Sequence, residues 1–261
     1  MAENITASKK YDIVFIIDES GSMQEYINKV RDNISSFVQS LNADGVDVQL
    51  GLVEYGDGSL SIKKHELTSN VDTFISQLGA ISAYGARENG LTAIMDGKNG
   101  AISMNFREGA NKEFIVVTDE GYMENDSGYS YYRGTTPYSQ DDVTRKLNEI
   151  GAKLDVFGAM KESYTSTRKA YNDYFNAQYG EGWCQDEWTP IAEKTSGILI
   201  NGNSDTGHFF DITSDFFGLM RRTINGNDNG THQLAFAQWS YGFTPSTGDN
   251  VSATSSVVPG A

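Results

Sequence analysis

Apolar positions along the chain alternate between two periods. Residues 11 to 17, Tyr-Asp-Ile-Val-Phe-Ile-Ile, form a short and almost unbroken apolar run, as expected of a strand buried on both faces. From Met23 the period changes: Tyr26, Ile27, Val30, Ile34, Phe37, Val38 and Leu41 recur every three or four residues, which lines them along one side of a helix. Ser22 and Glu25 predict a capping box at its start. Residues 46 to 55 return to alternation, with Val46, Val48, Leu50 and Leu52 on one face, and Gly56-Asp57-Gly58 predicts a turn into a further strand over 59 to 67. That strand carries Lys63, Lys64, His65 and Glu66, charges that suit a sheet edge because they discourage pairing with another chain.

The same alternation continues downstream. A helix is predicted near 70 to 79, and another from about Asn89 that Gly97 and Gly100 interrupt. Glu113 to Thr118 and Lys153 to Met160 are short apolar strands; Gly197 to Ile200 and His208 to Ile212 are strand candidates, and Ser214 to Ile224 is a helix candidate. Strands alternating with helices predict an α/β architecture, a parallel sheet covered on both sides. Past Asn225 the chain turns rich in Asn, Gly, Ser and Thr around one apolar island at Leu234 to Phe243, a composition of extensions and linkers. The expected organisation is an N-terminal extension over 1–9, one domain over 10–225, and a C-terminal extension or linker over 226–261. No internal repeat is visible.

Composition narrows the partners. Asp plus Glu number 35 against 20 Lys plus Arg, a formal charge of −15, which repels phosphate backbones and anionic lipid surfaces and argues against nucleic acid and membrane insertion. The lone Cys184 has no partner for an intrachain disulfide. The start, Met1-Ala-Glu-Asn-Ile-Thr, has no basic segment followed by an apolar one. The expectation is a chain that stays inside the cell, or a piece of a larger exported, multidomain protein.

Chemistry concentrates at two strand ends. Asp18-Glu19-Ser20-Gly21-Ser22-Met23 follows the first strand directly, gathering an acid and two hydroxyls just before a helix, and such oxygen ligands suit a hard cation. The strand at 113–118 also ends in acid, Thr118-Asp119-Glu120-Gly121. In a doubly wound sheet the carboxyl ends of strands flank the ligand crevice, so Asp18 and Asp119 are expected to be neighbours. His65, His208 and His232 are scattered, and the chain has no phosphate-cradling P-loop, no His-Glu-x-x-His and no Gly-x-Ser-x-Gly. Nothing in the sequence argues for an enzyme.

Asp18-x-Ser20-x-Ser22 after an apolar strand resembles the metal-ion-dependent adhesion site of von Willebrand factor A domains. Further similar segments are Gly51-Leu52-Val53-Glu54-Tyr55-Gly56, Phe114-Ile115-Val116-Val117-Thr118-Asp119 and Pro190-Ile191-Ala192-Glu193-Lys194-Thr195-Ser196-Gly197. The resemblance runs over about residues 10 to 225 and implies a Rossmann-like fold: a doubly wound, mostly parallel six-stranded sheet with one antiparallel edge strand and helices on both faces. It implies one divalent cation, Mg²⁺ first, with Mn²⁺ or Ca²⁺ as alternatives. Most of the family places a Thr on the loop before the third helix. Here that loop reads Tyr84-Gly85-Ala86-Arg87-Glu88-Asn89-Gly90-Leu91, and the alignment puts Glu88 at the ligand position, with Thr92 as runner-up. The implied account has Ser20, Ser22 and Glu88 on the ion, while Asp18 and Asp119 hold waters and orient the serines. One solvent-facing position is then left for the Asp or Glu carboxylate of a protein partner. A Glu in place of Thr should tighten the metal and weaken its pull on that carboxylate.

Two stretches exceed a minimal domain. Residues 121–140 carry Tyr122, Tyr129, Tyr131, Tyr132 and Tyr138 among Gly, Ser and Thr, a composition of adaptable recognition loops. In 161–189, Tyr171, Tyr174 and Phe175 sit at helical spacing and fit a core, leaving Trp183 and Trp188 as contact candidates. The leading expectation is a metal-dependent binding or adhesion module at the cell surface. The alternative is a cytoplasmic assembly subunit working with an ATPase or chelatase-type partner, to which the resemblance also extends.

Overall fold

The computed structural model describes residues 9–56, 61–85, 88–119, 121–122, 138–158, 188–197 and 199–201. Six strands, β1 (Lys9–Asp18), β2 (Val46–Tyr55), β3 (Lys63–Thr68), β4 (Asn111–Thr118), β5 (Ala152–Gly158) and β6 (Leu199–Asn201), form one sheet in the order β3-β2-β1-β4-β5-β6. All neighbours are parallel except β3, which pairs antiparallel with β2 at the edge. The fold class expected from the sequence is the one observed.

Helices cover both faces because successive strand residues point to opposite sides. Ile13, Phe15 and Ile17 join Ile115, Val117 and Phe157 under α1 (Gln24–Ala43) and α2 (Val71–Ala80), while Val14 and Ile16 join Phe114, Val116, Leu154 and Val156 on the other face. That second face is closed by α3 (Gly90–Met95), α4 (Gln140–Ile150) and α5 (Thr189–Lys194). Each of Ile13, Ile16 and Phe15 is fully buried, worth about 1.5–3 kcal/mol apiece against water. The apolar stripe read from the sequence of α1 is its buried face.

Helix starts and ends differ from the sequence pattern in two places. The capping box expected at Ser22 and Glu25 does not form: Met23 holds the cap position in helical conformation with no side-chain cap bond. The chain has already turned by then, since Met23 N–H donates to the Ser20 carbonyl at 3.0 Å, and the exposed Ser22 is not committed to a cap. A capping box stands instead at α4, between Ser139 and Asp142, and that helix ends on Gly151 at φ 66°, a left-handed conformation that glycine adopts without strain. α3 stops at Met95, short of Gly97.

The opposite rim from the strand carboxyl ends is fastened by Arg107. Its Nε donates to Asp12 Oδ1 at 2.7 Å, its backbone N–H to Asp12 Oδ2 at 2.7 Å, and Nη2 to the carbonyls of Tyr11 and Asp47 at 2.9 and 3.0 Å. Among the described residues no helix is long and apolar enough to cross a membrane. The candidates at 208–212 and 214–224, the extensions 1–8 and 226–261, and most of both aromatic-rich stretches lie outside the described residues.

Candidate metal centre

Three connections converge at the carboxyl ends of β1 and β4. The loop after β1 is tied down by its backbone: Glu19 N–H donates to the Tyr55 carbonyl at 2.6 Å, Tyr84 N–H to the Glu19 carbonyl at 2.7 Å, and Gly21 N–H to the Gly85 carbonyl at 3.1 Å. The parallel register of β1 with β2 and β4 places Asp18 opposite Tyr55 and one step past the Ile17–Val117 pair. These bonds bring the first and third loops together, and Gln24 Oε1 adds to them by accepting the Ala83 N–H at 3.2 Å.

Asp18 is the centre of the arrangement. Its Oδ1 accepts the Ser20 N–H at 2.8 Å and its Oδ2 accepts the Thr118 hydroxyl at 2.8 Å. Burial pushes its carboxyl up to about 7, the Asp119 carboxylate adds in the same direction, and hydrogen bonds from Glu88, Ser20 and Thr118 oppose the rise. Asp18, Ser20, Glu88 and Asp119 are each no more than 5% exposed, so three carboxyl groups and a hydroxyl share a site nearly sealed from water. Like charges that close resist joint ionisation unless a cation or a proton joins them.

Sequence reasoning placed Asp18, Ser20, Ser22, Glu88 and Asp119 at one point. The structure buries Asp18 with Ser20, lets Glu88 bond to it and sets Asp119 within its field; Ser22 sits exposed on the rim one turn away. Thr92 lies within α3, half-buried and a turn beyond Glu88. Two recognition candidates are corrected. Tyr122 and Trp188 are each 3% exposed and pack edge-on against one another with ring centroids 5.3 Å apart, because their rings complete the core beside α3 and α5. Neither offers a surface for a partner. Tyr129, Tyr131, Tyr132 and Trp183 lie outside the described residues.

Three contributors went unread in the sequence. Thr118 binds Asp18, and the strand register, which puts it across from Asp18, is the signal that would have found it. Glu19, buried inside the motif, accepts two bonds from Lys63 Nζ at 2.8 and 3.1 Å. Lys63 also lies 3.7 Å from Glu54 Oε2, and His65 Nε2 is 2.7 Å from Glu54 Oε1. The edge strand thus supplies the Lys63 ammonium that balances the acids flanking the site and a His65 ring hydrogen-bonded to one of them.

The donor set fits a hard dication. Ser20 Oγ is buried with no hydrogen-bond partner among the described residues, an arrangement that costs about 1–3 kcal/mol unless something else takes the oxygen. Among the described residues no three His, Cys, Asp or Glu side chains form a ready-made metal cage. A site built on serine hydroxyls with a single direct carboxylate does not need one.

The pilus adhesin SpaC from Lactobacillus rhamnosus GG aligns with a TM-score of 0.52 at 15% identity, covering 84% of this chain and 31% of that one. Proximal thread matrix protein 1 from the mussel byssus aligns with a TM-score of 0.50 at 15% identity, covering 81% and 47%. An aerotolerance-related membrane protein from Bacteroides fragilis aligns with a TM-score of 0.49 at 15% identity, covering 83% and 99%. The chain therefore spans under half the length of SpaC and of the mussel protein, and the likenesses to these two show the fold. No curated protein matches the sequence. The model of the von Willebrand factor type A domain matches residues 12–173, a span that contains most of β1 with its Asp-x-Ser-x-Ser loop, the Glu88 loop and Asp119. On that match the chain belongs to the von Willebrand factor type A domain family, a family of protein-interaction modules.

Proposed function

We propose that the chain is a metal-dependent protein-binding module in which one Mg²⁺-type ion takes a carboxylate from its partner. The observation that carries the reading is the buried Ser20 hydroxyl without a hydrogen-bond partner among the described residues, next to an Asp18 carboxyl raised to about 7 by burial. Ser20, Ser22 and Glu88 would hold the ion, and Asp18 and Asp119 would orient the serines and hold its waters. Bound there, the ion supplies a positive, exchangeable coordination position. Asp18 fixes the Ser20 loop through its N–H, Thr118 fixes Asp18, and burial keeps bulk water from competing. Glu88 gives the site one more negative charge than a threonine would, which favours the metal over the partner's carboxylate. The reading makes the ion a docking point rather than a centre for turnover. Placement at a cell surface belongs to the same proposal, motivated by the aromatic-rich stretches and the Ser/Thr/Gly-rich tail.

The test is calorimetric titration of the EDTA-stripped chain with Mg²⁺ and Mn²⁺ alone. The unaltered chain should bind, and Ser20→Ala and Asp119→Ala should each weaken binding by at least about tenfold, near 1.4 kcal/mol. Equal binding by all three chains, or none by the unaltered chain, would refute the reading.

A further inference from the structure

Beneath the loops of the site lies a packed contact that metal coordination does not account for. Trp188, the residue before α5, meets Tyr122 edge-on, with ring centroids 5.3 Å apart and planes 81° apart. Gly90, two residues past Glu88, lies against the same indole. A Cβ placed on Gly90 would stand 2.7 and 2.8 Å from Cζ2 and Cη2 of Trp188 and 3.3 Å from the Tyr55 hydroxyl. Real Cβ atoms do not come that close to carbon, so the indole reaches the backbone of the third loop to a depth only glycine allows.

Backbone hydrogen bonds at Tyr84 and Gly85 hold the start of that loop, but the side chain next to Gly90 adds none. Asn89, between Glu88 and Gly90, is 2% exposed, and neither polar atom of its side chain has a partner among the described residues. Hard contact with the indole is the close packing at the Gly90 backbone, added to the bonds that hold the loop's start. Tyr55, whose hydroxyl also approaches Gly90, pairs with Asp18 in the sheet and accepts the Glu19 N–H through its carbonyl. One aromatic cluster thus touches the chain next to each part of the site: after Asp119 through Tyr122, after Glu88 through Gly90, and at Asp18 through Tyr55.

We propose that Trp188 is a positioning residue for the cation site: braced by Tyr122 and seated on Gly90, its indole fixes where Glu88 stands relative to Asp18 and Asp119. The proposal rests on the metal reading above and adds to it a residue remote from the ligands. Tyr122 opens the 121–140 stretch and Trp188 closes the 161–189 stretch, so the anchoring ends of both share this contact with a metal ligand's loop.

The experiment titrates Mg²⁺, and separately Mn²⁺, into the unaltered chain, Trp188→Phe and Gly90→Ala, each also combined with Glu88→Gln, with thermal melts recorded in EDTA. Trp188→Phe keeps a ring but removes the indole carbons that touch Gly90, and Gly90→Ala keeps the indole but forces it away. Each should weaken Mg²⁺ by about tenfold, as loss of an outer support of a metal site does. In the Glu88→Gln background each loss should shrink to about twofold or less, because coupled residues are not additive. A variant that melts lower yet binds as tightly as the unaltered chain, or loses equally in both backgrounds, overturns the positioning role. If Trp188→Phe does not fold, Gly90→Ala decides alone. Failure of the unaltered chain to bind either ion sinks the metal reading and this proposal with it; normal binding with unaffected variants sinks this proposal only.

Discussion

Replacing Lys63 by methionine keeps the apolar stem and removes the ammonium, and the cost can be worked from the geometry. Lys63 Nζ stands 2.8 and 3.1 Å from the two oxygens of Glu19, and the Glu19 side chain is 3% exposed while that of Lys63 is 48% exposed. Removing one partner of a buried pair costs about 3–5 kcal/mol because the other charge is stranded. An exposed pair is worth no more than about 1 kcal/mol. With the acid sealed and the base half in water, Lys63→Met should cost about 2 kcal/mol, which for a domain of this size lowers Tm by about 4–8 °C. Glu54 keeps His65 at 2.7 Å and adds little. Combining Lys63→Met with Glu19→Gln should recover most of the loss, since a neutral amide no longer needs the cation. The assay is thermal denaturation in EDTA, which separates the ion pair from any bound metal. Lys63→Met melting with the unaltered chain, or the double variant melting no higher than Lys63→Met, would show that the pair does not support the loop.

Two further outcomes follow from buried charge elsewhere. Arg107→Ala strands Asp12, which is 0% exposed and accepts bonds from both the Arg107 side chain and its backbone N–H; stability should fall by about 3 kcal/mol, and an unchanged urea midpoint would contradict this. Glu113, also buried, has its carboxyl pushed up by burial, against opposing effects of an Asp155 hydrogen bond and the Lys153 charge. A raised folded value means the fold holds that proton more tightly than the unfolded chain. The group's support is full below its ordinary 4.5 and is lost as pH rises through the folded value. Glu113→Gln should therefore gain stability relative to the unaltered chain as pH climbs, and a Tm difference that stays flat between about pH 4 and about pH 8 would count against it.

The parts of the fold that were legible in the sequence are those where burial dictates a period. The run at 11–17 and the stripe from Tyr26 to Leu41 mark β1 and α1 because a two-sided strand and a one-sided helix leave different apolar spacings. The Asp-x-Ser-x-Ser loop was legible for a related reason, being contiguous. Glu88 came only through alignment, since an acid before a short helix has no distinctive local pattern. Lys63 and Glu19 lie 44 residues apart, and their pairing depends on the antiparallel register of β3, which alternation does not specify. Tyr122 and Trp188 were misplaced because aromatic composition is the same for a recognition loop and for a core; only the packing of their rings separates the two.

The placement of β1 has a mechanical consequence. It runs down the middle of the sheet, parallel to β2 and β4 over most of its length, and β6 at the far edge points the same way. Tension between Lys9 and Asn201 would pull along the strands rather than across them. To yield, β1 would have to slide past both neighbours and shear two ladders of backbone bonds at once, whereas an edge hairpin unzips one bond at a time.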